Sequence, residues 1–270
     1  MIDLVGKIGS MALISRDKNS IDENIFARIG DSLKPGMIWV TSGAVEVGRL
    51  DYMDRNGVEL TGDIEDIKTD YASQGQAILM GKYRRFINKD YSLRQILVEH
   101  THFNDAKKCN HIKGLLIRAA TQNAIPIVNY NDAVSREESR RLEIRCLKEE
   151  KGHAIELVDN DETASQIACL VNAKVLLILS TLDGIYQDIQ DSKSLIREIT
   201  GTKNDVIKKL DLLKPACKGA SRSGANGASS KLEFIKPCIK KGTKVIIASA
   251  KYNINDILNG TAPSTMVFAK

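Results

Sequence analysis

Two lysines and one carboxylate stand out among the residues able to do chemistry. Lys7 lies in an early apolar run, Asp161 enters an amphipathic segment, and Lys231 opens a late helical stretch. Two ammonium groups meeting over a triphosphate would neutralise it, and an aspartate near both would hold them in place. Phosphoryl transfer calls for such a set, because it depends on charge neutralisation and in-line positioning more than on covalent chemistry. Asp132, Asn129 and Asn160 offer a polar fork of the kind an amino-acid ammonium group needs. Glycine and small polar residues let backbone N–H groups approach an anion, and helix N-termini add a favourable dipole. On that ground Ser10, Gly43 and Gly227 are candidate phosphate contacts.

These residues share a location. They follow short apolar runs at 4–8, 37–41, 94–99, 126–129, 174–180 and 243–248, or they open the helical stretches between them. Continuous Val/Ile/Leu runs with helices between them predict a parallel sheet covered on both faces. Helices are expected over 22–32, 67–87, 110–122, 162–172 and 230–240. The expected fold is a three-layer α/β/α sandwich with a mainly parallel sheet. Ligands of such sheets bind at the carboxyl ends of the strands. Gly9 and Ser10, Thr41 to Ala44, Asn129 to Asp132, and Ser180 with Thr181 all fall there, and the Gly/Ser loop at 221–231 precedes a helix. No linker marks a domain boundary, so the chain is expected to be one domain, 1–270.

Several classes are excluded. There is no G-x-x-x-x-G-K-[ST], no G-x-G-x-x-G after the first strand and no kinase catalytic-loop signature. His100 and His102 have no third histidine nearby and are expected to be surface or helix-start polarity rather than a metal site. Five cysteines without a Cys-x-x-Cys pair fit reduced thiols, and no apolar run approaches the roughly 20 residues of a membrane span, so a cytoplasmic protein is expected. A net charge of +5 suits an anionic substrate as well as nucleic acid, and aromatic content of 5% argues against base stacking. The stretch 135–153 carries six Lys/Arg and five Glu at helical offsets. It reads first as a solvated helix held by i,i+4 pairs, and second as a flap or oligomer contact beside a site.

The ordered motifs resemble those of the amino acid kinase superfamily, most of all its glutamate 5-kinase branch. They are LVGKIGSMAL, IWVTSGAVEVGR, ASQGQAIL, RQILVEHTHFND, IPIVNYNDAV, LVDNDETASQIACLVNAKVLLILSTLDGIY, SGANGASSKLEFI and LNGTAPSTMVF. The resemblance implies transfer of the γ-phosphoryl group of ATP to the side-chain carboxylate of glutamate, the first step of proline synthesis. It implies that Lys7 and Lys231 stabilise the transferring group and that Asp161 organises them. Ser42, Gly43, Asn129, Asp132, Asp159 and Asn160 would surround the acceptor. Gly9, Ser10, Ser180, Thr181, Ala225, Asn226, Gly227 and Ser230 would serve the nucleotide, with Mg²⁺ carried by ATP rather than by protein ligands. Residues up to about 160 would form the acceptor lobe and the remainder the nucleotide lobe. The partners expected are a small acid and a second copy of the chain, as a dimer or tetramer, with no nucleic acid or membrane.

The chain also departs from the pattern. Tyr130 stands where the family usually has Glu, and residues 135–153 look like an insertion over the acceptor. Ala225-Asn226 replace Thr-Gly in the nucleotide loop, and Ser180-Thr181 replace a Thr-Asp ending. The usual C-terminal RNA-modification-type (PUA) module is expected to be missing. Two alternatives therefore stay open: another acceptor (a small acid, phosphonate or nucleotide), or a non-catalytic ligand-binding regulator.

Overall fold

The computed structural model describes residues 2–270 except 16, 18, 189 and 216–226. Among them, eight strands form the central sheet: β1 (Leu4–Ile8), β2 (Met37–Val40), β3 (Ser92–Val98), β4 (Ala124–Tyr130), β5 (Val175–Ser180), β6 (Glu198–Gly201), β7 (Lys244–Ser249) and β8 (Ser264–Ala269). Their order is β6-β8-β7-β5-β1-β2-β4-β3. Every pairing is parallel except β7 with β8. Strands after residue 160 occupy one half of the sheet and earlier strands the other, meeting where β5 pairs with β1.

The helices are α1 (Glu23–Ser32), α2 (Ala44–Asn56), α3 (Ile64–Phe86), α4 (His100–Asn104), α5 (Ala106–Thr121), α6 (Glu137–Lys151), α7 (Asn160–Val171), α8 (Lys203–Leu213), α9 (Gly227–Lys241) and α10 (Ile254–Leu258). They cover both faces. Because side chains alternate along a strand, Val5, Ile38, Val40 and Ile178 point into a cluster with Leu116, Ile167 and Ile235 of α5, α7 and α9. Leu4, Ile8, Trp39 and Leu177 point the other way, against Phe26, Leu79 and Ile257 of α1, α3 and α10. The result is the expected three-layer sandwich.

Some elements were not foreseen. Strands β6 and β8 carry Glu, Thr and Ser among their apolar residues and lie toward one edge, so no continuous apolar run marks them. Helix α2 buries Ala44, Val47, Gly48 and Leu50, too small a stripe to advertise a helix. It is held instead by close approach to α3. A Cβ on Gly48 would lie 1.9 Å from the Tyr71 carbonyl oxygen, and one on Gly75 would lie 1.8 Å from that of Ala44. Only glycine permits backbones that near. The charged stretch is helical, as its offsets predict. Of α6 only Ile144 is buried, and Glu137 pairs with Arg141 one turn on.

Candidate active site

Asp161 takes both lysines at once. Its Oδ1 lies 2.5 Å from Lys7 Nζ and its Oδ2 2.5 Å from Lys231 Nζ. Lys7 belongs to the early apolar run, which forms β1. It sits near the carboxyl end of central β1, paired with Val40 on one side and Ile178 on the other, and is only 5% exposed. Asp161 stands in the first turn of α7, whose N-cap Asp159 accepts from the backbone N–H of Asp161 (2.6 Å) and of Glu162 (3.1 Å). That cap sets the turn's direction, and the helix dipole favours an anion there. Lys231 comes from the start of α9. Three separate elements thus converge on one carboxylate.

Buried charges persist only when paired. Burial disfavours the ionised form of Asp161, but the two ammonium groups outweigh it and hold the carboxyl well below the usual range. Burial, helped by the charge of Lys231, lowers the pKa of Lys7 against the pull of Asp161. Burial also opposes the charge on Lys231, but Asp161 prevails and its pKa is raised. Asp159 is pushed up by burial and by the charge of Asp161. Asp159 adds a second carboxylate whose charge acts on both lysines.

Beside this triad runs a neutral network. Asn160 Nδ2 donates to Ser42 Oγ (3.0 Å) and to Asn129 Oδ1 (3.1 Å), and Asn129 Nδ2 donates to Gln76 Oε1 (2.7 Å). Asn129 is 1% exposed. Asn160 Oδ1 and Gln76 Nε2 are buried without a partner among the described residues, an acceptor and a donor beside Ser42. Gln76 was not singled out in the sequence, although it lies within ASQGQAIL. Its signal is an amide among the buried α3 residues Tyr71, Ala72, Gly75 and Leu79. Behind Ser42, Tyr83 OH lies 2.8 Å from Thr41 Oγ1 and accepts from Trp39 Nε1 at 3.0 Å, which fixes the end of β2.

Gly43 caps α2 with φ +92°, a conformation that favours glycine. A Cβ there would lie 3.5 Å from Ser10 Cα, so the loops after β1 and β2 face each other. Gly9 donates its N–H to Leu179 O and caps the short 3₁₀ turn Ser10–Ala12. Its missing Cβ leaves 3.7 Å to Lys7 Nζ. Asp132, the third residue of the expected fork, lies in the turn after β4. Burial and the charge of Glu46 push it up to about 6, while Arg140 pulls it down.

The nucleotide candidates are less tightly gathered. Ser180 Oγ bonds its own loop, accepting from Leu182 N–H and donating to Leu182 O, and Thr181 is exposed. Ala225 and Asn226 lie outside the described residues. Gly227 is the first residue of α9, and Ser230 directly precedes Lys231. The histidine expectation needs correction. His102 is helix-start polarity, its Nδ1 accepting from Glu99 N–H. His100, however, is 2% exposed and pairs with Glu143 of α6 at 2.8 Å, because α6 folds over it. Among the described residues no three His, Cys, Asp or Glu side chains gather to hold a metal ion. Both Asp161 oxygens face lysines, so these residues do not fit a protein-held cation.

The sequence pattern of the amino acid kinase family matches residues 4–249. The chain belongs to the amino acid kinase family. It is 28% identical over 257 residues to a glutamate 5-kinase of Streptococcus suis, covering 92% of this chain and 64% of that one. A glutamate 5-kinase of Thermoanaerobacter sp. is also 28% identical, with 95% of this chain and 65% of the relative covered. The chain therefore spans less than two thirds of these relatives' length. A Clostridium perfringens glutamate 5-kinase, 27% identical, is covered over 95% of its length and 99% of this chain. Among solved structures, Giardia lamblia carbamate kinase bound to AMP-PNP superposes with TM-score 0.62 at 13% identity, covering 99% of this chain and 98% of that one. The UMP kinase of Ureaplasma parvum gives 0.55 at 12% identity, over 98% and 97%. These two share the fold of this amino acid kinase family member. No helix among the described residues is long and apolar enough to cross a membrane.

Proposed function

We propose that this family member transfers the γ-phosphoryl group of ATP to the side-chain carboxylate of L-glutamate. The observation that carries the reading is the Lys7–Asp161–Lys231 clamp at the carboxyl end of the sheet. An acceptor carboxylate oxygen attacks the γ-phosphorus while the bond to the β–γ bridging oxygen breaks. ADP leaves with that electron pair, and the product is an acyl phosphate. A carboxylate is already deprotonated, so the step needs no general base. Asp161 suits this chemistry: an acid so strongly favoured in its ionised form is a poor proton acceptor and a firm anchor. Lys7 and Lys231 stabilise the charge that spreads over the transferring group. Ser42, Asn129 and Asn160, with Gly43, orient the acceptor; Asp159, through the oxygen not used as a cap, and Asp132 serve its ammonium group.

In this reading Gly9, Ser10, Ser180, Thr181, Gly227 and Ser230 face the nucleotide, and Mg²⁺ arrives as the counter-ion of its phosphates. The strand order supports an acceptor lobe before about residue 160 and a nucleotide lobe after it. The glutamate 5-kinase relatives support glutamate as the acceptor. A second acceptor, another small acid, is favoured by one observation: Tyr130, next to Asn129 at the end of β4, is tied by its hydroxyl to Ser135 Oγ at 2.9 Å, just ahead of α6. The test combines ADP release with hydroxylamine trapping. Glutamate should yield the γ-hydroxamate, and Lys7→Met or Lys231→Met should slow turnover by about 10²–10³. ADP release with a different acid and no hydroxamate from glutamate would select the second acceptor. Saturable nucleotide binding without turnover on any acid would mean a regulator.

A further inference from the structure

Arg140 is set apart from the other arginines of α6. The half-buried and buried positions of that helix, Glu137, Arg140, Ile144 and Leu147, recur at three and four residues and form the face turned toward the body. Arg141 is exposed and pairs with Glu137, and Arg136, just before the helix, pairs with Asp66 at 2.8 Å. Arg140 instead engages Tyr130, its guanidinium carbon 5.8 Å from the ring centroid and its N–H edge within reach of the hydroxyl. Tyr130 itself is fixed by its hydroxyl to Ser135 Oγ at 2.9 Å. It directly follows Asn129, which hydrogen bonds to Asn160 beside Ser42. Asp132 lies two residues beyond Tyr130, within electrostatic reach of both Glu46 and Arg140. Arg140 is therefore held at Tyr130, the last residue of β4, and Asp132 follows in the next turn.

We propose that Arg140 selects the acceptor: it receives the second carboxylate of an acidic α-amino acid, while Asp132, with Glu46 behind it, receives the ammonium group. This rests on the carboxylate-kinase reading above. The chemistry of the ligand follows from the set. A zwitterionic head needs one cation and one anion a few ångströms apart, and a planar guanidinium binds a carboxylate with two parallel hydrogen bonds. Tyr130 makes Arg140 available for that purpose. A carboxylate at position 130 would take the guanidinium fork as its own partner, whereas the ring and single hydroxyl of Tyr130 hold it in place and leave most of its five N–H donors for a ligand. Helix α6, read from sequence as a solvated helix or as a flap or oligomer contact, then contributes one side chain to specificity.

The test uses the full chain and its Arg140→Met and Arg140→Lys variants. It measures steady-state constants for L-glutamate and the inhibition constant of 4-aminobutanoate, which keeps the amine and distal carboxylate but lacks the second carboxylate. Arg140→Met is expected to raise the glutamate KM about 30-fold with kcat within about threefold, the size of one lost charge-assisted contact. The inhibition constant of 4-aminobutanoate should stay within about threefold, and Arg140→Lys should recover part of the loss. Comparing two ligands on one preparation removes any change in folded fraction. Equal shifts for both ligands, or none for either, would overturn the role of Arg140 while the carboxylate-kinase reading stands. ADP release only with acceptors that have no carboxylate would overturn both.

Discussion

Replacing Asp161 with asparagine keeps the size of the side chain and removes only its charge. In the native site one oxygen faces each lysine at 2.5 Å, and the carboxylate is 2% exposed. The variant leaves two ammonium groups side by side with no anion between them. At about 5 Å and an effective dielectric of about 20, two unit charges repel by roughly 3 kcal/mol. Removing one member of a buried ion network typically destabilises by about 3–5 kcal/mol, in agreement. For a chain of this size that is a fall in Tm of roughly 10 °C. Turnover should fall by about 10²–10³, because the lysines no longer hold their places over the phosphoryl group.

The pH dependence gives a signature that general damage would not. Lys7 already has a lowered pKa from burial and from Lys231, and loss of Asp161 lowers it further. The unfolded chain then binds more protons than the native one at neutral to alkaline pH, so stability of Asp161→Asn should rise with pH from about 7 to 9. The wild-type protein, whose lysines stay paired, should rise less. Thermal melts across that range, with ADP release at each pH, check both points. A Tm within about 2 °C of wild type and activity within about threefold would refute the clamp.

Further expectations concern single sites. Asp132 titrates at about 6, above the usual carboxylate value, so between about pH 4 and 6 the native state holds a proton that the unfolded chain has lost. Stability should therefore decline across that window, and Asp132→Asn should flatten the decline and add on the order of 1–2 kcal/mol at pH 7, read from urea melts. If Asp132 receives the acceptor's ammonium group, the glutamate KM of the wild type should fall as pH rises from about 5 to 7; a flat profile would remove that role. Within α3, Gly75→Ala should prevent folding or destabilise by more than about 3 kcal/mol, since its Cβ would meet the Ala44 carbonyl at 1.8 Å. Gly81→Ala, with nothing within 4 Å, should stabilise by about 0.5–1 kcal/mol; equal effects at the two positions would contradict the close packing of α2 on α3.

Much of this molecule is local information. The strands β1, β2, β4, β5 and β7 are runs of Val, Ile and Leu buried on both faces, and burial on both faces is what such runs encode. Asp159, Asp22 and Asp63 each cap the helix that follows them, a bond made within three residues and so visible in sequence. The candidate residues Lys7, Asp161 and Lys231 were legible as types in the right setting, and the resemblance implied that they act together, but no local pattern pairs them: 154 positions separate Lys7 from Asp161, and another 70 separate Asp161 from Lys231. No local rule reaches across such distances. Their meeting depends on β1 lying between β2 and β5, and on α7 and α9 packing on the same face of the sheet. The same reason hides α2, a helix made stable by glycine contacts with α3, and the inward turn of Arg140, which depends on how α6 rests against Tyr130 and His100. Sequence alone determined the layers, the strand-end location and the residue types available for phosphoryl transfer. Tertiary structure decided which of those charges share one buried carboxylate, because electrostatic coupling acts through space and falls with distance, not with position along the chain.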